Sequence, residues 1–230
     1  MALDFEHQVL VAAPGHQRLA PAMPPRPTIG KGKRLFDMAF AAAALIALSP
    51  VFLVIAVMLR LRERGPVFFA HSRVGQNGQT FRCLKFRTMR ENGDEMLARM
   101  LAIDPIARRE WEEAQKIDRD PRVTRLGAFL RRTSLDELPQ FWNVLRGDMS
   151  IVGPRPVTRG EAAKYGRHFA DYCKVKPGIT GAWQVGGRSD TSYEHRVALD
   201  VDYVRNGSFA EDLRIVFKTV GVVLAQRGAC

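Results

Sequence analysis

The stretch Met38-Ala39-Phe40-Ala41-Ala42-Ala43-Ala44-Leu45-Ile46-Ala47-Leu48-Ser49-Pro50-Val51-Phe52-Leu53-Val54-Ile55-Ala56-Val57-Met58-Leu59 carries no charged side chain. As one straight helix it would reach roughly 33 Å, about the thickness of a bilayer's hydrocarbon core. A soluble domain of this size has little use for a helix that is apolar all round, so the run reads as a membrane segment. Two features argue against a simple span. Ser49-Pro50 falls at its middle, where proline removes a backbone donor and kinks the helix. Basic residues also flank it on both sides: Lys31, Lys33 and Arg34 before, Arg60, Arg62 and Arg64 after. The positive-inside rule disfavours sending either group across the membrane. A helix that enters, breaks at Ser49-Pro50 and returns to the cytoplasmic face satisfies both, with the Ser49 hydroxyl available to a carbonyl freed at the break. Residues 31–64 are therefore expected to form a re-entrant, monotopic anchor.

The remainder suits a single folded domain with appendages, since 230 residues can bury a real core. The formal charge of +11 points to a polyanionic partner: nucleic acid, a phosphorylated metabolite or anionic lipid. Cys83, Cys173 and Cys230 are odd in number and widely spaced, with neither a CxxC pattern nor a disulfide framework, which fits a reducing cytoplasm. Cys230 does not form a prenylation box. Met1 to Leu10 carries Asp4 and Glu6 and lacks the basic start of a secretory signal. Residues 1–30, rich in proline, read as a flexible tail.

From residue 65 onward the pattern is α+β and mostly helical. Val67 to Ala70 and Thr80 to Arg87 read as strands joined through Asn77-Gly78, a strong hairpin signal. A helix is expected from Asn92 to Lys116, broken at Asp104-Pro105. An amphipathic helix follows with Leu138, Phe141, Trp142 and Leu145 at helical spacing, then the rigid loop Gly153-Pro154-Arg155-Pro156 and helix from Arg159 to Cys173. Ala182 to Arg188 reads as a short strand entering a loop. Tyr193–Arg205 and Phe209–Gln226 read as the last two helices. The final one either lies along lipid headgroups or closes the core.

Chemistry concentrates in Arg131-Arg132-Thr133-Ser134-Leu135-Asp136-Glu137-Leu138-Pro139-Gln140. Ser134 and Glu137 have the spacing of a capping box, and acids in a first helical turn are stabilising on their own account. The same position beside Arg131 and Arg132 would hold a carboxylate ionised, as a nucleophile or a metal ligand. Adjacent acids on a helix diverge by about 100°, which favours separate duties over a proton-sharing dyad. Lys85, Arg87, Arg155 and Arg188 each stand singly in Gly, Pro or aromatic settings. That spacing suits discrete phosphates better than a long polyanion, and it speaks against nucleic acid. Trp183 and Phe141 read as core. The five histidines show neither metal spacing nor a serine partner.

These motifs strongly resemble the bacterial sugar transferases, the polyprenyl-phosphate monotopic phosphoglycosyl transferases. The resemblance runs from about Lys33 to the C-terminus. It is carried by Lys33-Arg34-Leu35-Phe36-Asp37, the Ser49-Pro50 break, Arg73-Val74-Gly75, Lys85-Phe86-Arg87-Thr88-Met89, the Asp136-Glu137 segment, Gly147 to Pro156 and Lys176 to Gly181. It implies a re-entrant helix-break-helix under a small cytoplasmic domain with interfacial amphipathic helices (residues 65–230), at the bacterial inner membrane. Asp136 would be the nucleophile on the β-phosphorus of a UDP-hexose, holding a covalent phosphosugar and releasing UMP. Undecaprenyl phosphate would then take the phosphosugar, the first step of exopolysaccharide or related glycoconjugate synthesis. Glu137 would hold Mg²⁺. Lys85, Arg87, Arg132, Arg155, Arg188 and Gln184 would bind phosphate or substrate, and the basic regions would favour an anionic membrane surface.

Ala182-Trp183-Gln184-Val185-Gly186-Gly187-Arg188-Ser189 departs at four positions from the commoner family form. Its Trp-Gln-Val order is similar to members that transfer hexose phosphates such as galactose phosphate, and Ser189 replaces a usual asparagine. Exposed apolar faces also suggest a homodimer. The competing expectation is an inactive membrane-anchored scaffold or regulatory protein that keeps the fold.

Overall fold

The computed structural model describes residues 30–63, 65–114, 117, 120–186 and 192–224. The expected tail before Gly30, Arg64, Arg188, Ser189 and the outer ends of two expected helices (Lys116 and Gln226) lie outside the described residues. Helices α1 (Lys31–Ala47) and α2 (Ser49–Arg62) are bent by 59° across Leu48. Pro50 stands in the first turn of α2 and has no N–H for the Ile46 carbonyl four residues back. The Ser49 hydroxyl donates to that carbonyl instead, at 2.8 Å, as the sequence led one to expect. Among the described residues no single helix is long and apolar enough to cross a membrane, but the bent pair passes together by length and composition.

Three polar residues of α1, Lys33, Arg34 and Asp37, are engaged with the rest of the protein. Lys33 Nζ donates to Asp212 Oδ2 at 2.7 Å and to the Val152 carbonyl at 3.2 Å. Arg34 donates to the carbonyls of Val144 and Leu145 at 2.7 and 3.1 Å. Asp37 accepts from the Ser150 hydroxyl at 2.7 Å and the Ile151 amide at 3.1 Å. Reading Lys33 and Arg34 purely as a membrane-facing basic flank is thus corrected. They fasten the first turns of α1 to the globular part, because a buried charge is tolerated only when paired.

Strands β1 (Phe68–Val74) and β2 (Thr80–Phe86) form the antiparallel hairpin, in register Phe68 opposite Phe86 through Val74 opposite Thr80. Its turn has positive φ at Asn77 and Gly78, the conformation that residue pair favours. Helices α3 (Gly93–Ile103) and α4 (Pro105–Ala114) break at Asp104, whose carboxylate accepts from the amides of Ile106 and Ala107. Helices α5 (Arg125–Arg132) and α6 (Gln140–Arg146) bracket the acidic pair. On α6 the expected apolar stripe is only half right. Trp142 is 52% exposed, and the fully buried residues are Asn143 and Val144.

Strand β3 (Ser150–Val152) pairs in parallel with β4 (Gly178–Thr180). The helical run expected from Arg159 to Cys173 is two single turns, α7 (Arg159–Ala162) and α8 (Phe169–Tyr172), joined by a 3₁₀ stretch with Gly166 at φ +50°. The expected strand at Ala182–Arg188 is instead helix α9 (Ala182–Gly186), and the strand lies just upstream. The reason is close backbone approach. A Cβ on Gly178 would fall 2.1 Å from the Gly153 nitrogen, so only glycine lets that segment pair beside Gly153.

Helices α10 (Tyr193–Asn206) and α11 (Phe209–Leu224) are the last elements among the described residues. Of the two open readings of α11, closing the core is borne out by Ile215 and Asp212, which are buried; Phe217 is 76% exposed. The main core gathers Ala41 of α1, Cys83, Val144, Met149, Ile151, Val152, Val204 and Ile215. A second cluster under α2 joins Ile55 and Leu59 to Phe86 and Leu130, so both halves of the bent pair pack on the globular part.

Candidate active site

Asp136 and Glu137 lie on a 3₁₀ turn, Leu135–Glu137, between α5 and α6. The expected capping box is not formed. Ser134 has φ +56° and its side chain caps nothing, because the chain needs a left-handed residue to reverse after α5. A capping box does form elsewhere, between Thr158 and Glu161. The acids therefore owe their environment to tertiary neighbours and not to a helix N-terminus.

The chief neighbour is Lys85 of β2. Its Nζ stands 2.7 Å from Glu137 Oε1 and 3.4 Å from Asp136 Oδ2, a single ammonium shared by both carboxylates. Asn143 fixes the strand that carries it. Its Oδ1 accepts from the Leu84 amide at 2.9 Å and its Nδ2 donates to the Arg82 carbonyl at 2.8 Å, bridging the free edge of β2 as a neighbouring strand would. Asn143 Nδ2 also donates to Asp148 at 3.1 Å.

Arg131, in the last turn of α5, approaches from the other side and donates from Nε to the Thr88 hydroxyl at 2.9 Å. Gly127 makes this approach feasible, since a Cβ there would sit 2.0 Å from the Thr88 carbonyl oxygen. Arg132, the arginine singled out from the sequence, is exposed. The helical phase held the signal: Gly127, Leu130 and Arg131 share one face at spacings of three and four.

A cleft opens beside the pair, lined by Arg73, Lys85, Glu137, Gln140, Arg155, Pro156, Ile179 and Gln184. Of the residues expected here, it gathers Lys85, Glu137, Arg155 and Gln184. Asp136, 6% exposed, is in contact with Lys85 and is not among the lining residues. Gln184 donates to the Ile179 carbonyl at 3.2 Å. The Arg155 guanidinium lies over the Trp183 ring, 5.9 Å from its centre, with Arg196 over the same ring at 4.8 Å. Arg87 is turned elsewhere, buried against the Glu63 carbonyl and 3.5 Å from Glu91. Arg73, unassigned from the sequence although it stands as singly as Lys85, reaches Glu161 at 3.0 Å and the Pro156 carbonyl at 3.2 Å. A larger cavity, about 300 Å³, is lined by none of these residues; its two charged residues, Lys33 and Asp212, neutralise each other.

The two acids are electrostatically unequal. Burial pushes the Asp136 carboxyl above the ordinary range; Lys85 and Arg131 oppose that, and the net direction is upward. This corrects the expectation of a lowered value, which presumed a helix N-terminus. Burial also works against the charge on Glu137, but Lys85 and Arg155 outweigh it and hold that carboxyl below the usual range. Lys85 would lose its proton more readily on burial alone, but Glu137 and Asp136 overcompensate and raise its pKa. Cys83 is no rival nucleophile, because burial pushes its thiol up to about 11.

Among the described residues no group of three or more His, Cys, Asp or Glu side chains could hold a metal ion. One or two carboxylates still fit Mg²⁺, which commonly keeps waters and takes its other oxygens from substrate phosphates.

The sequence profile of the bacterial sugar transferases matches residues 29–226. The exopolysaccharide production protein ExoY of Rhizobium meliloti is 50% identical over 204 residues, covering 89% of this chain and 90% of that protein. The UDP-galactose-lipid carrier transferase of Erwinia amylovora is 51% identical over 197 residues, and the undecaprenyl-phosphate galactose phosphotransferase of Salmonella typhimurium 48%. Those matches cover 86% of this chain but 41% of each longer relative. With the profile spanning nearly the whole chain, and a relative half-identical over about nine-tenths of both proteins, this protein belongs to the bacterial sugar transferase family.

Proposed function

We propose that the protein transfers a hexose-1-phosphate, with galactose the leading sugar, from a UDP-sugar to undecaprenyl phosphate in exopolysaccharide synthesis. The observation that carries the reading is the pair Asp136 and Glu137 beside an arginine-bearing cleft, in a chain half-identical to proteins named for that chemistry. Galactose is put first because two of those relatives are named for it, while a relative of Escherichia coli that is 41% identical is named for glucose-1-phosphate.

In the proposed reaction an Asp136 carboxylate oxygen attacks the β-phosphorus of the UDP-sugar. The bond from that phosphorus to the bridging oxygen breaks and UMP leaves. An oxygen of undecaprenyl phosphate then attacks the same phosphorus, the aspartyl–phosphorus bond breaks, and the carboxylate is restored with the lipid-linked diphosphate sugar as product. A covalent intermediate lets two mutually repelling anions bind in turn. Arg155 and Arg73, on the cleft wall, would neutralise the diphosphate, and Arg131 would counter charge at Asp136. Glu137 would hold Mg²⁺, which on binding supplies positive charge to the phosphoryl oxygens. The bent α1–α2 pair supports a monotopic placement at the inner membrane, with the cleft toward the cytoplasm.

The deciding experiment follows UMP release from UDP-galactose with undecaprenyl phosphate, alongside intact mass of the protein. Asp136→Asn is expected to abolish both turnover and a hexose-phosphate adduct. Near-normal turnover in that variant would remove the covalent assignment.

A further inference from the structure

The ammonium of Lys85 is shared by the two carboxylates, and Lys85 itself lines the cleft. It is 2.7 Å from Glu137 and 3.4 Å from Asp136, and Glu137 is the carboxylate that lines the cleft. A divalent cation on Glu137 would place two further positive charges beside the ammonium, and their repulsion favours the ammonium's departure. The wider charge balance points the same way. Lys85, Arg131 and Arg155 oppose the two carboxylates, while Arg73 is paired with Glu161. The site is thus already net positive. A bare dication would add to that excess, whereas a dication carried by a diphosphate brings its own compensating charge. We infer that Lys85 is an exchangeable counter-ion, which holds Glu137 in the resting enzyme and passes to a substrate phosphate when a divalent cation enters as its nucleotide complex.

The structure supplies the means for this exchange. Asn143 pins the β2 backbone at the Arg82 carbonyl and the Leu84 amide, just ahead of Lys85, and β1 pairs along the other edge, so the strand stays fixed. The flexible four-carbon stem lets the ammonium swing by itself. Asp136 is 6% exposed and contacts the same ammonium, so the departure of that ammonium toward the nucleotide also releases the proposed nucleophile. Loading the nucleotide and releasing Asp136 thereby become one event. Lys85 acts here as a lock on metal binding as well as a phosphate contact.

This inference rests on Glu137 being the metal ligand. The test is Mn²⁺ binding by the full-length protein, read from the free-ion electron paramagnetic resonance signal with and without UDP. Mn²⁺ held by UDP in solution is subtracted, and thermal melts verify the fold of each variant. The wild type is expected to bind Mn²⁺ about tenfold more tightly with UDP than without, within the usual range of coupling between ligands. Lys85→Met should bind Mn²⁺ about tenfold more tightly than wild type in the absence of UDP, and should lose most of that coupling. Lys85→Arg, which keeps the charge, should remain like wild type. If Lys85→Met binds Mn²⁺ without UDP no better than wild type, the lock does not exist, even where UMP release still requires the metal. If no variant binds Mn²⁺ with or without UDP while UMP release persists, the metal role of Glu137 falls, and this inference with it.

Discussion

Asp136 and Glu137 are adjacent in sequence and differ in what surrounds them. Burial dominates at Asp136 and raises its pKa, whereas Lys85 and Arg155 prevail at Glu137 and lower it. The proposed nucleophile thus ionises at higher pH than an ordinary aspartate, and Lys85 keeps that pH from rising further. Removing the ammonium favours the protonated carboxyl, so the acid limb of the kcat/KM profile for UMP release in Lys85→Met should move to higher pH. Lys85→Arg should leave the limb nearly in place. An unmoved limb in Lys85→Met would detach Asp136 ionisation from this contact. The two adjacent arginines give a paired comparison. Arg131→Gln should cost tenfold or more in turnover, on the order of losing one donor to developing charge. Arg132→Gln, at an exposed position, should stay within about twofold of wild type. Sequence adjacency made these two look equivalent; the phase of α5 separates them.

At the scale of elements, the site depends on how β2, α5 and α6 are joined. Asn143 is fully buried and spends its amide on the outer edge of β2, tying α6 to the strand that presents Lys85. In Asn143→Ala the Leu84 amide and the Arg82 carbonyl lose those partners, a loss of about 1–3 kcal/mol. Denaturant unfolding should show it, with faster hydrogen exchange at the Leu84 amide and a kcat decrease exceeding any change in KM. Unchanged exchange at Leu84 would argue that β2 holds its edge by other means. The locally encoded elements were legible in the sequence. Asn77-Gly78 made its hairpin and Asp104-Pro105 its helix break, because the deciding torsions belong to those residues. The Ser134–Glu137 cap and the Ala182–Arg188 strand were misread, because Ser134 is forced to positive φ between two helices and β4 is selected by its fit beside Gly153.

At the scale of the whole molecule, the bent helix pair and the globular part form one packed body through Lys33, Arg34 and Asp37. Lys33 and Asp212 are both nearly inaccessible, so Lys33→Met should leave the Asp212 carboxylate buried without its counter-charge, with the Tyr203 hydroxyl still donating to it, and destabilise the protein by about 3–5 kcal/mol. Guanidinium unfolding would measure the effect, and Lys31→Met, at an exposed neighbour, is the control that should change little. The re-entrant arrangement predicts that cysteines introduced at Lys31 and at Pro66 react with an impermeant maleimide from the same face of inverted membrane vesicles. Reaction from opposite faces would make α1–α2 a true span. By itself the sequence determined the apolar run, its proline break and the acidic pair, since each follows from a few contiguous residues. Only the tertiary structure decided that Lys85 reaches those acids, that Arg131 and not Arg132 turns toward them, and that Lys33 and Arg34 of the first basic flank are turned inward. Those outcomes are contacts between residues tens of positions apart or more, chosen by burial and charge pairing, and no local pattern encodes them.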